Sequence, residues 1–178
     1  MLKESTGTFI ASDEILHIYR KMEKLDTLIN AARTGDIETL KKLIEEGIDL
    51  NQKDEKGYTP LIIACYNNKL DAAALLLESG ANIDASDFGG NTALMGVSFK
   101  GYPHIAKLLL DKGANPDLQH GNGGTAMMFA AMFGRNEVLE ILIEHGADKN
   151  ILDARGLSVF DLAAQQGNEA GLNILYKN

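Results

Sequence analysis

Apolar and polar positions along this chain recur with a period of 33 residues. Leucines occupy one phase of that period at five positions, Leu43, Leu76, Leu109, Leu142 and Leu175. Glycines occupy two further phases: Gly47, Gly80, Gly113 and Gly146 in one, and Gly57, Gly90, Gly123 and Gly156 in the other. Three sets of residues that keep the same 33-residue spacing over this length indicate that the chain is an array of one structural unit.

The unit at residues 54–86 carries the clearest signals for two helices. Thr59 is placed to cap the first helix, and Pro60 occupies its first position, where no amide hydrogen is needed. The first helix is predicted to end near Asn67 and Asn68, since asparagine tolerates the left-handed conformation. The second is predicted over about residues 70–78, ahead of Gly80.

Two motifs accompany the period: Asp-x-x-Gly-x-Thr-Pro-Leu at residues 54–61 and Gly-Ala at residues 80–81. Together they resemble the ankyrin repeat, a β-turn followed by two helices, and in particular the small single-domain ankyrin proteins of bacterial type. The resemblance implies an all-α solenoid of helix-turn-helix units with β-hairpin or turn connections. The predicted repeat domain spans residues 25–178, with units at about 25–53, 54–86, 87–119, 120–152 and 153–178. The opening and closing units depart most from the pattern and are interpreted as caps.

Residues 1–24 precede the repeats and are predicted to form a mobile segment, residues 1–11, and an extra helix. Ser12 is a candidate helix cap, followed by an apolar stripe at Ile15, Ile18, Tyr19, Met22 and Leu25. Two interpretations of this stripe stay open. The helix covers the apolar edge of the first unit, or it docks on another protein.

Charge narrows the classes of function. Lysine and arginine number 17 against 25 aspartates and glutamates, a net charge of −8. This balance argues against nucleic-acid binding, which normally requires a clustered basic face, and against binding to anionic membranes. No apolar stretch is long enough for a membrane span, and residues 1–11 do not resemble a signal peptide, so a cytoplasmic location is expected. The single cysteine, Cys65, is interpreted as a small buried thiol.

The residues that could take part in catalysis or metal binding are not predicted to lie close together. The four histidines, His17, His104, His120 and His145, fall in four different predicted structural places. No catalytic triad order, paired-cysteine motif, zinc motif or phosphate-binding loop is present in the sequence. We therefore expect a protein that is not an enzyme and that has no metal site and no cofactor.

Apolar side chains occupy helix positions that should be polar on a solvated face. In an ankyrin stack, hairpin tips and the exposed side of the first helices line a concave surface. The residues predicted to bind a partner there are Tyr58, Tyr66, Asn67, Phe88, Asn91, Phe99, Lys100, Met132 and Phe133. Aromatic residues and methionine are enriched in interface cores. The alternative is that these side chains fold back on the neighbouring unit and belong partly to the core.

These observations favour a non-enzymatic module that binds another protein in its concave groove. Such a module would act as an inhibitor, adaptor or assembly factor and would be a monomer on its own. Two alternatives stay open at this stage. One is an accessory protein that binds a small ligand such as heme or a metal. The other is a self-associating scaffold that uses Phe160 or the leading helix.

Overall fold

A computed structural model of the protein describes the backbone of residues 6–177 and the side chains of residues 13–177. Ten helices are found in this part of the chain. They are α1 (Thr6–Thr34), α2 (Ile37–Glu45), α3 (Pro60–Tyr66), α4 (Leu70–Glu78), α5 (Ala93–Lys100), α6 (Pro103–Asp111), α7 (Ala126–Met132), α8 (Asn136–Glu144), α9 (Val159–Gln165) and α10 (Glu169–Lys177). The predicted all-α repeat fold is confirmed.

The connections between units are turns. The part of the chain that the structure describes contains no strand, and its one isolated antiparallel bridge joins Ser86 to Thr92. None of the helices described is both long and apolar enough to cross a membrane.

The helices form two layers. Odd-numbered helices pack in sequence, α1 on α3, α3 on α5, α5 on α7 and α7 on α9, and even-numbered helices pack in the same order beside them. Each unit contacts mainly its neighbours, as expected of a solenoid. We call the surface formed by the odd-numbered helices and the turns that precede them the inner face.

Local hydrogen bonds explain where the odd-numbered helices begin. Asp54 Oδ1 accepts from the backbone N–H groups of Lys56 and Tyr58, at 2.9 and 2.8 Å. Thr59 Oγ1 then accepts from Ile62 N at 3.3 Å, which caps α3. The same Asp-turn arrangement recurs before α5 and α9, so these three units share one turn geometry.

The leucine phase forms the spine of the core. Leu76, Leu109 and Leu142 are fully buried, and Leu175 is 1 % exposed. Small side chains let the odd-numbered helices approach closely, as at the buried pairs Ala31 and Ala32, Ala64 and Cys65, and Ala130 and Ala131. The stack is therefore held by apolar contacts repeated from unit to unit.

The leading segment differs from the expected separate helix. It is continuous with the first helix of the opening unit, so the predicted boundary at residues 24 and 25 falls inside α1. Residues 1–5 of the predicted mobile segment lie outside the described residues, and α1 already includes Thr6, ahead of the predicted cap at Ser12.

The apolar stripe of the leading segment does not cover the first unit. Every residue from 13 to 24 is exposed, including Ile15 at 54 % and Tyr19 at 66 %. Burial begins only at Leu25, which is partly buried, and Leu28, which is fully buried. The physical reason is helix geometry. A straight helix of 29 residues is several times longer than the 7 residues of α3, so its first half extends past the helix against which it packs.

Candidate functional site

Three aromatic rings from successive units lie side by side on the inner face. The rings of Tyr66 and Phe99 are stacked, with centroids 6.5 Å apart and planes inclined by 6°. The edge of one ring meets the face of the other between Phe99 and Phe133, whose centroids are 4.5 Å apart. Tyr66 is 43 % exposed and Phe133 is 42 % exposed. We call these three residues the aromatic row.

Two cations border the aromatic row. Lys100 Nζ lies 4.8 Å from the centroid of the Tyr66 ring, within the range of a cation–π interaction. Arg135 Nε donates to the carbonyl oxygen of Phe99 at 3.0 Å. The predicted contact residue Lys100 therefore contacts the row directly, and Arg135 is a second cation beside it that was not among the predicted residues.

Met132 does not join the aromatic row, although it has the same position in its unit as Tyr66 and Phe99. It is partly buried and packs against the core, while the next residue, Phe133, lies against Phe99. Helix α7 ends at Met132, and Phe133 is the cap residue with φ −102° and ψ 11°. The equivalent residue Asn67 caps α3 with nearly the same angles, φ −97° and ψ 15°, so the backbone does not distinguish the two units. Of the two predicted contact residues Met132 and Phe133, it is Phe133 whose ring completes the row.

Three other predicted contact residues, Phe88, Asn91 and Asn67, have different environments. Phe88 is 73 % exposed on the turn before α5, and Lys53 Nζ lies 5.8 Å from the centroid of its ring. Asn91 lies nearer the helices, where its Nδ2 donates to both carboxylate oxygens of Asp87, at 3.1 and 3.0 Å. Asn67 is likewise engaged, because its Nδ2 donates to Ile63 O at 2.8 Å. The two asparagines therefore stabilise the turn before α5 and the end of α3.

A cavity of about 250 Å³ opens on the inner face beside the aromatic row. It is lined by Gly96, in the interior of α5, and by Tyr58, Tyr66, Asp87 and Phe129, among others. We call it the Gly96 cavity. The other units carry Ile63, Phe129 and Leu162 at the position of Gly96. At the position of Gly96 the cavity therefore lacks a side chain that three other units carry.

A second cavity, of about 520 Å³, lies between the units of α7 and α9. His120 lines it in place of the turn aspartate found in the other complete units, and its Nδ1 accepts from Asn122 N at 3.1 Å. The imidazole lies 5.2 Å from the ring of Phe129, centroid to centroid. It lies so close to Gly124 that a Cβ there would come within 2.7 Å of Nε2. Met132 lines this second cavity too.

The ionisable groups of the described residues do not form a metal site. No group of three or more histidine, cysteine, aspartate or glutamate side chains within residues 13–177 could hold a metal ion. The histidines are separated along the fold, with His17 on α1, His104 on α6, His120 in a turn and His145 at the end of α8. Burial raises the pKa of the Cys65 thiol to about 12, so this group is not a ready nucleophile.

Sequence reasoning missed Phe129, Gly96 and His120 as parts of the inner face. A signal was present for each, because each departs from its equivalents at the 33-residue spacing. Gly96 stands among Ile63, Phe129 and Leu162, and His120 stands where other units have aspartate. The cavity could not have been inferred from that signal alone, since its walls come from three different units.

Comparison with known proteins agrees with this architecture. The family described as ankyrin repeats (3 copies) matches residues 28–120 and 94–178. Human protein phosphatase 1 regulatory subunit 27 is 36 % identical over 70 residues, 39 % of this chain and 46 % of that protein. A VAPYRIN-LIKE protein of Medicago truncatula is 42 % identical over 45 residues, 25 % of this chain and 10 % of that protein. A putative ankyrin repeat protein of Rickettsia felis is 41 % identical over 54 residues, 30 % of this chain and 82 % of that protein. The matched region spans less than half the length of the human and Medicago relatives.

Proposed function

This chain belongs to the ankyrin repeat family, and we propose that it is a non-enzymatic module that holds a partner protein against its inner face. The inner face corresponds to the concave surface of the predicted solenoid. The proposal assigns contact roles to the predicted residues on this face: Tyr58, Tyr66, Asn67, Phe88, Asn91, Phe99, Lys100, Met132 and Phe133.

The aromatic row is the observation that carries the proposal. Tyr66 and Phe133, which each contact the ring of Phe99, are both more than 40 % exposed, where a solvated surface would favour polar groups. Contiguous exposed apolar surface of this kind marks contact sites, and aromatic side chains supply much of the binding energy in interfaces. Lys100, in cation–π contact with Tyr66, places a charge at the edge of an apolar row. Protein interfaces usually have this arrangement, with an apolar core and a polar rim.

The finer role proposed is that of an inhibitor, adaptor or assembly factor that acts in the cytoplasm and is a monomer on its own. One relative, which this chain matches over part of its length, is named as a regulatory subunit of a phosphatase. That name supports a role in which binding modifies another protein. The net charge of −8 makes a protein a better partner than a nucleic acid or an anionic membrane.

The test compares three forms of the chain as baits in extracts of the native cell. They are the wild type, the double variant Tyr66→Ala/Phe99→Ala, and the control Tyr176→Ala. Tyr176 is 75 % exposed on α10, so the control removes an exposed aromatic ring away from the row. We expect the wild type and the control to retain the same partner and the double variant to lose it with its fold intact. A partner that the double variant retains would refute this assignment of the inner face.

A further inference from the structure

Gly96 is a glycine that the fold does not require. It lies inside α5, where glycine is less favourable than alanine because its backbone loses more freedom on folding. A Cβ built at Gly96 would meet one neighbouring group within 4 Å, Cδ2 of Tyr66, at the ordinary van der Waals distance of 3.5 Å. Neither backbone conformation nor packing therefore excludes a methyl group at this position. Departures from local preference of this kind are expected at functional sites.

Gly96 adds no side chain to the Gly96 cavity, and a larger residue at this position would project into it. Phe129 of the next unit and Ile63 of the preceding unit line the same cavity, at the positions equivalent to Gly96. Its volume of about 250 Å³ is below the range of pockets that enclose drug-sized ligands. It suits a single apolar side chain inserted between the rings of Tyr66 and Phe99.

Charge at the edge of the cavity indicates what flanks that side chain. Lys100 lies over the ring of Tyr66 and Arg135 donates to the carbonyl oxygen of Phe99, and both aromatic residues line the cavity. Neither cation forms an ion pair within residues 13–177. Asp87 lines the cavity from the turn before α5, where its carboxylate accepts from the backbone N–H groups of Gly89 and Asn91 and from the Asn91 side chain. The one carboxylate that lines the cavity is therefore engaged within its own turn, whereas the two cations beside the aromatic row have no acidic partner.

We infer that the partner segment is an acidic peptide with one apolar anchor: a leucine- or phenylalanine-sized side chain fills the Gly96 cavity, and flanking carboxylates face Lys100 and Arg135. This inference rests on the proposed function, since it specifies the chemistry of what the inner face binds. Burial of the anchor supplies affinity, and the complementary charges supply selectivity and faster association.

The test uses displayed libraries of short peptides and the full chain immobilised as the target. One library has a central leucine, phenylalanine or serine flanked by positions randomised among aspartate, glutamate, serine and glycine. The matched library replaces the acidic residues with lysine and arginine. The peptides enriched are then synthesised, and their affinities are measured by fluorescence polarisation at low and high salt.

Four variants locate the binding. Gly96→Leu fills the cavity, and Gly96→Ala fills it in part. Phe129→Ala enlarges it, and Lys100→Gln/Arg135→Gln removes the two cations. Urea unfolding of each variant checks that it folds.

We expect acidic peptides with an apolar centre to be enriched. Gly96→Leu should weaken their affinity by about tenfold or more. We expect Gly96→Ala to have a smaller effect and Phe129→Ala to shift the preference from leucine to phenylalanine. The double glutamine variant should weaken binding and reduce its dependence on salt.

Other outcomes would overturn the inference. They are enrichment of basic or serine-centred peptides, equal binding by wild type and Gly96→Leu, or no enrichment from either library. If Gly96→Leu does not fold, the other two cavity variants, Gly96→Ala and Phe129→Ala, decide the question. The inference is refuted if both bind the enriched peptides with the same affinity and the same size preference as the wild type. Peptides whose binding is lost in Tyr66→Ala/Phe99→Ala but unchanged in the Gly96 variants would refute the inference. They would not contradict the proposed function. A native partner retained by Tyr66→Ala/Phe99→Ala would refute the proposed function itself.

Discussion

The imidazole of His145 bridges two units, since its Nε2 lies 3.1 Å from Oδ1 of Asp111 at the end of α6. Its Nδ1 lies 2.7 Å from Ile141 O in its own helix, α8. The hydrogen bond to Ile141 O, and after it the one to Asp111, raise the pKa of His145 above its usual 6.5. The hydrogen bond between His145 and Asp111 also lowers the pKa of Asp111. Both ring nitrogens face acceptors, so the protonated imidazole satisfies both and the neutral one satisfies only one.

We predict that the stabilising effect of His145 depends on pH. Because its pKa is raised in the folded state, its contribution is fully present below the unfolded pKa of about 6.5 and is lost as pH rises through the folded pKa. His145→Gln should therefore lower the urea midpoint more at pH 5.5 than at pH 8.5. His104→Gln is the matched control, since it leaves this pair intact. An equal loss for His145→Gln at the two pH values would contradict the prediction.

We predict that the same glycine-to-alanine change has unequal costs in two units. Gly123 and Gly156 occupy the same position and have φ of 79° and 77°, where alanine is strained. A Cβ at Gly123 would lie 2.7 Å from the backbone N of Ala154, whereas a Cβ at Gly156 would meet nothing within 4 Å. Gly156→Ala should cost about 1–2 kcal/mol from backbone strain alone. Gly123→Ala should cost more, because the following turn must also move.

Urea unfolding free energies of these two variants are the measurement. Gly57→Ala gives an internal check, since a Cβ there would lie 2.6 Å from the backbone N of Phe88, and it should behave like Gly123→Ala. Equal losses for Gly123→Ala and Gly156→Ala would show that contact with the next turn adds nothing.

We predict that Cys65 is unreactive in the folded protein. Its side chain is fully buried, and burial raises its pKa from 9.0 to about 12. At a given pH below these values, the thiolate fraction is therefore lower by about a thousandfold, and access is blocked as well. Ellman's reagent should react slowly in native buffer and rapidly in concentrated urea, with Cys65→Ser as the blank. Rapid reaction in native buffer would show that α3 opens on the timescale of the assay.

We predict that the exposed stripe of α1 contributes little to folding. Ile15 and Ile18 are 54 % and 56 % exposed, so Ile15→Gln/Ile18→Gln should change the free energy of unfolding by less than about 0.5 kcal/mol. Leu28→Ala, which truncates a fully buried side chain of the same helix, should cost about 2–5 kcal/mol. Urea unfolding measures both. A large loss for the double glutamine variant, together with a change in mass by light scattering, would show that a second copy covers the stripe.

Helix positions in the repeats follow closely from local sequence. The pattern at Thr59 and Pro60 predicts a helix that begins at Pro60 and ends near Asn67, and α3 spans Pro60–Tyr66 with Asn67 as its cap. The second helix predicted at about residues 70–78 is Leu70–Glu78. These predictions succeed because helix ends are set by hydrogen bonds between residues a few positions apart.

The inner face could be predicted only in part. The repeat register brings Tyr66 and Phe99 together as the sequence suggests, and of the predicted residues Met132 and Phe133 only Phe133 has its ring against Phe99. The backbone does not account for this choice, since Asn67 and Phe133 cap their helices with nearly the same φ and ψ. Register predicts which positions are neighbours and does not predict which rotamers their side chains adopt.

By itself, the sequence determined the repeat, its two helices, its turns and the leucines of its core, since these depend on local hydrogen bonds and on a period that every unit shares. Tertiary structure alone decided that the apolar half of α1 stays exposed, that Phe133 and not Met132 lies against Phe99, and that a cavity opens beside Gly96. Each of these depends on distances between side chains of different units. Such distances follow from how the units pack, which no stretch of the chain specifies locally.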